Sequence, residues 1–290
     1  AVIDVATRAA LASLELGTAV RGIAISPDGS HAYVTRFRAA VDHGEVFEVD
    51  LSAMALARTI ELALDPGPDN ADTGRGVPNY LSSITISPDG ARAVVPSKKD
   101  NTERGLVRDG EALDDDNTVR TIVSEIDLVS GTERLGARID LDDHDMASAV
   151  AFSPLGDLMF IATQGTNRVD VYDTASGRLV SGFATSLAPQ GLWLADGRLY
   201  VQCFTARALD IVDVASLLSG TDATARSVAT VATVSAEPLS PEALLGEQIF
   251  YNADDPRMSA DGYIACASCH LDGDSDGRVW DFTDRGEGLR

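Results

Sequence analysis

Val20-Arg-Gly-Ile-Ala-Ile-Ser-Pro-Asp-Gly29, Leu81-Ser-Ser-Ile-Thr-Ile-Ser-Pro-Asp-Gly90 and Ala147-Ser-Ala-Val-Ala-Phe-Ser-Pro-Leu-Gly156 are three versions of one ten-residue phrase. Apolar residues alternate along it, so Ile23 with Ile25, and Ile84 with Ile86, share one face of a half-buried strand. The phrase ends in Ser-Pro-Asp-Gly, where Pro presets φ and Gly accepts φ > 0, a tight hairpin turn. Pro189-Gln-Gly-Leu-Trp-Leu-Ala-Asp-Gly197 is a degenerate fourth copy.

Outward from each copy the same order of elements recurs. A second strand follows the turn, beginning near Ala32, Ala93, Leu158 and Leu199. A third runs to an Asp, as in Val46-Phe-Glu-Val-Asp50, Val123-Ser-Glu-Ile-Asp127, Val169-Asp-Val-Tyr-Asp173 and Ala208-Leu-Asp-Ile-Val-Asp213. A fourth is predicted at Arg58-Thr-Ile-Glu-Leu62 and Arg134-Leu-Gly-Ala-Arg-Ile-Asp140. Four short antiparallel strands per repeat of roughly 40 residues describe propeller blades. The fold class is therefore all-β, a β-propeller of four-stranded antiparallel blades, about four and a half of them in this chain. The half is the pair Val2-Ile-Asp-Val5 and Ala10-Leu-Ala-Ser-Leu-Glu-Leu16, which matches the closing strands of a blade. A stand-alone β-sandwich fits the regular repeat less well. These repeats, over residues 1–235, resemble the YVTN-type β-propeller family, and the resemblance implies a parent ring of seven blades. The chain opens in mid-strand without an initiator Met, and it reads as a section of a longer protein whose remaining blades close the ring.

The second blade carries an insertion from Pro96 to Asn117 that holds both lysines of the chain, Lys98 and Lys99, with Arg104 and Arg108. A solvated loop is expected there. The alternative is a cationic contact to haem propionates or to the neighbouring domain.

Composition narrows the partners. There are 23 Lys plus Arg against 45 Asp plus Glu, a net charge of −22. So acidic a surface repels phosphate backbones and anionic lipid, which argues against nucleic acid and membrane surfaces and in favour of solubility. No apolar run approaches the ~20 residues of a membrane span. Three cysteines, Cys203, Cys266 and Cys269, are too few for a disulfide scaffold.

Residues 236–240 read as a linker, and 241–290 as the opening part of a small α-helical, cytochrome c-like segment. Ser240-Pro-Glu is a helix start with a hydroxyl cap, a first-position Pro and an early acid. Leu245 and Ile249 then lie one turn apart on an amphipathic helix over Pro241–Phe250. Downstream stands Cys266-Ala-Ser-Cys-His270. Two thiols three positions apart on a helical turn can each add to one vinyl group of a haem, leaving the next residue, His270, as axial iron ligand; Cys-x-x-Cys-His is the attachment signature of c-type haem. Zinc would need further Cys or His ligands nearby, and a thioredoxin-like pair a βαβ context; neither is present. The expected cofactor is therefore haem c, held by Cys266, Cys269 and His270, with His270 the metal ligand.

With its Gly-x-x-x-Phe helix, Asp255-Pro-Arg-Met-Ser259, Cys266-Ala-Ser-Cys-His270 and an Asp-Gly-x-x-Trp stretch, this segment resembles the opening of a bacterial di-haem cytochrome c peroxidase or MauG-type domain. The resemblance implies an exported protein, periplasmic or at the cell surface, doing electron transfer or peroxidase-like oxidoreductase chemistry with a redox partner protein or a small-molecule oxidant. It also implies that a second haem and the distal ligand lie beyond this chain. Met258 is expected to pack near the haem edge rather than to ligate iron, and Trp280 and Phe282 to pack either on the porphyrin or in an ordinary core. His31, His43 and His144 read as surface or hydrogen-bonded residues, and Cys203 as a buried apolar one. Asp272-Gly-Asp-Ser-Asp-Gly277 has the first half of a calcium loop but lacks its bidentate Glu; an Asp-rich turn is expected, with calcium the alternative. A reading of another class makes the propeller a binding scaffold for a protein or polymer, with haem as sensor or structural element.

Overall fold

The computed structural model describes residues 1–259 and 261–290. Its strands form three four-stranded antiparallel sheets, one six-stranded sheet and one two-stranded sheet. The two-stranded sheet pairs Val2–Ile3 with Ala10–Ala12. The first full blade runs Val20–Ile25, His31–Arg36, His43–Asp50, Ala55–Ala63 in spatial as in chain order. The third (Ala147–Phe152 to Arg178–Ala184) and fourth (Pro189–Ala195 to Arg226–Ala232) repeat that order. The second blade is the irregular one. Its innermost strand is broken into Val77–Asn79 and Thr85–Ile86, and its outermost into Thr132–Glu133 and Ile139–Leu141 around a 3-10 turn at Leu135–Ala137. The single fourth strand predicted over 134–140 is therefore interrupted, at the Leu-Gly-Ala that gives it little to pack.

The hairpin turns form as their chemistry dictates. Gly29, Gly90 and Gly156 sit at φ of 71°, 73° and 72°, and each amide donates to the Ser carbonyl three residues earlier. The same Ser side chain accepts from the second strand: His31 N to Ser26 Oγ at 2.9 Å, Arg92 N to Ser87 Oγ at 3.0 Å, Leu158 N to Ser153 Oγ at 3.0 Å.

Blades are joined by apolar cores and by hydroxyls. Ile84 packs with Val46, Ile60 and Leu62 of the first blade, and Val150 with Val94 and Val123 of the second. Thr35 Oγ1 donates to Leu81 O, Ser83 Oγ to Ser148 O, Thr85 Oγ1 to Val150 O, and Ser148 Oγ to Pro189 O, at 2.7–3.0 Å. Hydroxyls on or beside the inner and second strands thus stitch one blade to the next. The two flanks of the array differ from this pattern. Ile23 and Ile25, equivalent to the buried Ile84 and half-buried Ile86, are 65% and 59% exposed, because the preceding unit is only two strands. Trp193, at the position of Thr85, is 63% exposed on the opposite flank.

Ala19, Met146 and Ala188 each stand directly before a blade's inner strand, Tyr80 stands between the two pieces of the second blade's, and all four take a left-handed backbone, with φ between 53° and 61°. This conformation is costly for residues with a Cβ, on the order of 1 kcal/mol each. Tyr80, Met146 and Ala188 are buried, and they form one cluster with Tyr251, Ala267 and Leu271 of the C-terminal segment.

That segment differs from the helical cytochrome-like unit expected. Its one multi-turn helix, Pro241–Phe250, has the predicted bounds and the predicted cap, Ser240 Oγ accepting from Ala243 N at 3.2 Å. Leu245 is nevertheless exposed, so the expected apolar stripe is only partly used. Beyond it come a one-turn helix at Ala267–His270 and two 3-10 turns, Leu271–Gly273 and Thr283–Arg285. With so little helix of its own, the segment takes its core from the propeller face it lies on. Among the described residues no helix is long and apolar enough to cross a membrane.

Candidate haem-attachment site

Cys266 to His270 form a single helical turn. His270 N donates to Cys266 O at 3.0 Å, so the two cysteines fall on one side of it. All three cysteines are free thiols; Cys266 is exposed, Cys269 half-buried and Cys203 buried. Burial pushes the Cys269 thiol up to about 12, against the opposing pull of the Lys98 ammonium. His270 is exposed, and among the described residues its ring has no hydrogen-bond partner.

Cys269 lies on the wall of a cleft of about 400 Å³, within the size range of cofactor sites. Leu113, Val119, Ile264, Trp280 and Phe282 supply its apolar lining, and Met258 borders it while half exposed. Arg285 also lines it, beside the acids Asp114 and Asp115. The residues singled out as haem neighbours, Met258, Trp280 and Phe282, are thus gathered around Cys269. Haem fits this donor set: two thiols one turn apart, an unpartnered imidazole next in sequence, and an apolar wall beside the second thiol.

The propeller grips this turn from beneath. Tyr80 Oη donates to Cys269 O at 2.9 Å, and Ser268 Oγ donates to Asp145 Oδ1 at 2.8 Å. Ser268 Oγ in turn accepts from Ala265 N at 2.8 Å. Asp276 N closes the C-terminal side by donating to Cys269 O at 2.9 Å.

Lys98 and Lys99 are not in a solvated loop. They lie on the strand Arg92–Asp100, both 1% exposed, because the pairing with Val119–Asp127 extends into the predicted insertion. Lys98 Nζ sits 2.8 Å from Asp100 and 2.9 Å from Asp276, over the Tyr80 ring at 4.7 Å and the Trp280 ring at 5.7 Å. Burial by itself would depress the ammonium, but the carboxylates outweigh it and hold Lys98 protonated well above the ordinary lysine range. Arg278 binds Asp100 at 3.2 Å, so four charges alternate beneath the turn. Lys99 bridges Asp65 and Asp140, each at 2.8 Å. Arg120 binds Asp140 and Asp142, and Tyr263 of the C-terminal segment donates to the same Asp142.

The acids of Asp272-Gly-Asp-Ser-Asp-Gly277 are spread rather than gathered. Asp272 pairs with Arg21, Asp274 with Arg38 and Asp276 with Lys98. Among the described residues no three His, Cys, Asp or Glu side chains converge as a metal site. His31 bonds Ser30, His43 bonds Asp42, and His144 Nε2 lies 2.7 Å from the buried Asp170. Cys203 is fully enclosed, and burial raises its thiol to about 12.

No family profile and no curated protein matches this chain. Solved structures do. Hydrazine synthase of Kuenenia stuttgartiensis is similar over 80% of this chain and 79% of its own, at 17% identity and a TM-score of 0.44. The β-propeller domain of Cps50 (Swd1) from Myceliophteria thermophila is similar over 76% and 74%, at 13% identity and 0.42. A chain of the mitotic checkpoint complex is similar over 80% and 71%, at 14% identity and 0.47. These neighbours are β-propeller folds. At such identities they bear on architecture alone, which rests here on the chain's own sheets.

Sequence reasoning missed three contributors to the site. Tyr80 and Asp145 each lie at or beside the residue preceding a blade motif, a position that looks like a connector. Lys98 was hidden by reading its strand as an insertion.

Proposed function

We propose that this chain is the propeller and haem-attachment portion of an exported c-type cytochrome that carries electrons or performs peroxidase-like oxidation. The observation that carries this reading is the Cys266–His270 turn, with both thiols free, the imidazole without a hydrogen-bond partner among the described residues, and Cys269 on the wall of a cleft with an apolar side. Cys266 and Cys269 would hold the group by addition of each thiol S–H across one vinyl double bond, which needs no oxidant. Haem held there supplies a one-electron iron couple whose potential depends on its axial ligands and surroundings. Cys266 and Cys269 would tether the group, and His270 would ligate its iron. Ile264, Trp280 and Phe282 exclude water from one side. Lys98, fixed between Asp100 and Asp276, places a permanent positive charge near Cys269. Thioether attachment of this kind belongs to an oxidising, extracytoplasmic compartment, which puts the protein in the periplasm or at the cell surface, with a protein redox partner or a small oxidant as its reactant.

The test is intact-mass analysis and a denatured pyridine haemochrome spectrum of protein produced with c-type maturation machinery. One haem mass per chain that resists acid extraction, and a spectrum of two-thioether type, is the expected result. A zinc ion or a Cys266–Cys269 disulfide in its place would overturn it, and the propeller would then stand as a binding scaffold.

A further inference from the structure

Between Cys266 and Cys269 the turn is held by a side chain of the propeller itself. Asp145 stands immediately before the left-handed Met146, at the entry to the third blade, and is 1% exposed. Its Oδ1 accepts from Ser268 Oγ, and Ser268 Oγ accepts from Ala265 N, so carboxyl, hydroxyl and amide form one line ending at the residue before Cys266. Asp145 Oδ2 is buried with no hydrogen-bond partner among the described residues, and a side chain on the neighbouring Gly165 would collide with it. Gly165 thus leaves the room this carboxyl occupies, and the Ser268 hydroxyl is the side chain that donates to it. Tyr80 secures the other half of the turn through Cys269 O. Ala267, the remaining intervening residue, is wholly buried against the same face.

We propose that Asp145 is a positioning residue for haem attachment: through Ser268 it fixes the Cys266–Cys269 turn on the propeller, with Cys266 and His270 at the surface and Cys269 on the cleft wall in a preset geometry. Building on the haem reading above, it assigns to the propeller the support that a bundle of helices would otherwise give the turn. Ser268 is the serine of Cys-Ala-Ser-Cys-His, a position the attachment signature leaves free, and here its identity is dictated by a carboxyl 123 residues away in sequence.

The experiment has two arms on the full chain. In protein isolated without haem, hydrogen exchange is followed at the amides of 265–270 for wild type, Ser268→Ala, Asp145→Ala and Asp145→Asn. Ser268→Ala and Asp145→Ala are expected to speed exchange of these amides at least tenfold, while the amides of the fourth blade keep their rates. Asp145→Asn retains an accepting oxygen and should restore protection to within about threefold of wild type. Protein matured with haem is then scored by mass for the ratio of doubly to singly tethered haem; the two Ala variants should shift it toward single attachment and Asp145→Asn should not. Unchanged local exchange in both Ala variants would overturn the proposal, as would equal acceleration throughout the protein or failure of Asn to rescue. If wild type takes up no haem, the haem reading falls while the exchange arm still decides whether Asp145 holds the turn.

Discussion

Lys98 Nζ and Asp276 Oδ2 lie 2.9 Å apart across the seam between the second blade and the C-terminal segment, both almost wholly out of solvent. Asp100 shares the same ammonium. Removing one member of such a cluster strands the others, which typically costs about 3–5 kcal/mol. Lys98→Met is accordingly expected to lower unfolding stability by that order in urea titration, with Asp276→Asn costing less because Asp100 remains.

Asp145 should make stability fall as pH rises. Burial pushes its carboxyl up to about 7 in the folded chain, against an ordinary value near 3.8. Below about pH 4 both states hold the proton and nothing is lost; between 4 and 7 the unfolded chain releases it while the folded chain keeps it, so folding weakens until the folded carboxyl ionises as well. Asp145→Asn should flatten this decline by a few kcal/mol, since each tenfold difference in proton affinity is worth about 1.4 kcal/mol. Denaturant midpoints measured from pH 4 to 8 provide the check, and parallel curves for the two proteins would refute the assignment.

The three thiols should separate by accessibility. Without haem, one thiol is expected to react promptly with an alkylating reagent at pH 8, and peptide mapping should place it at Cys266. Cys269, half-buried on the cleft wall, should react more slowly, and the enclosed Cys203 only after unfolding; burial pushes both thiols up to about 12.

Gly22 lies at a close approach of the first two blades. A Cβ there would meet Ser83 Cα at 2.7 Å and Thr35 Oγ1 at 2.9 Å. Gly22→Ala is expected to destabilise by about 1–3 kcal/mol through overpacking, read as a lower thermal midpoint. The same change at Gly29, which has open space but φ of 71°, should cost about 1 kcal/mol from backbone strain alone.

The blades were legible because strand period, turn chemistry and repeat length agree at each of the quoted motifs, and because Ser26, Ser87 and Ser153 act locally. The helix at Pro241–Phe250 was legible for the same reason: Ser240 caps it from one residue away. What escaped were features that exist only between distant segments. Ile23 and Ile84 are interchangeable in the repeat, yet one is solvated and the other enclosed, since the difference lies in what stands beside them. Lys98 and Lys99 read as surface charges until Asp276, Asp65 and Asp140 arrive from elsewhere in the chain. The attachment motif announced its thiols and imidazole but not its support, because Tyr80 and Asp145 reach it across more than a hundred residues.

With Lys98 and Lys99 both sealed inside, every cationic Lys or Arg side chain that reaches solvent is a guanidinium. Exposed positive contacts of this protein are therefore flat, forked donors whose charge persists at any physiological pH, suited to bidentate carboxylates rather than to point anions. Reagents aimed at side-chain amines, such as succinimidyl esters, would correspondingly find almost nothing to modify on the folded molecule, and acylation of lysine would report its opening.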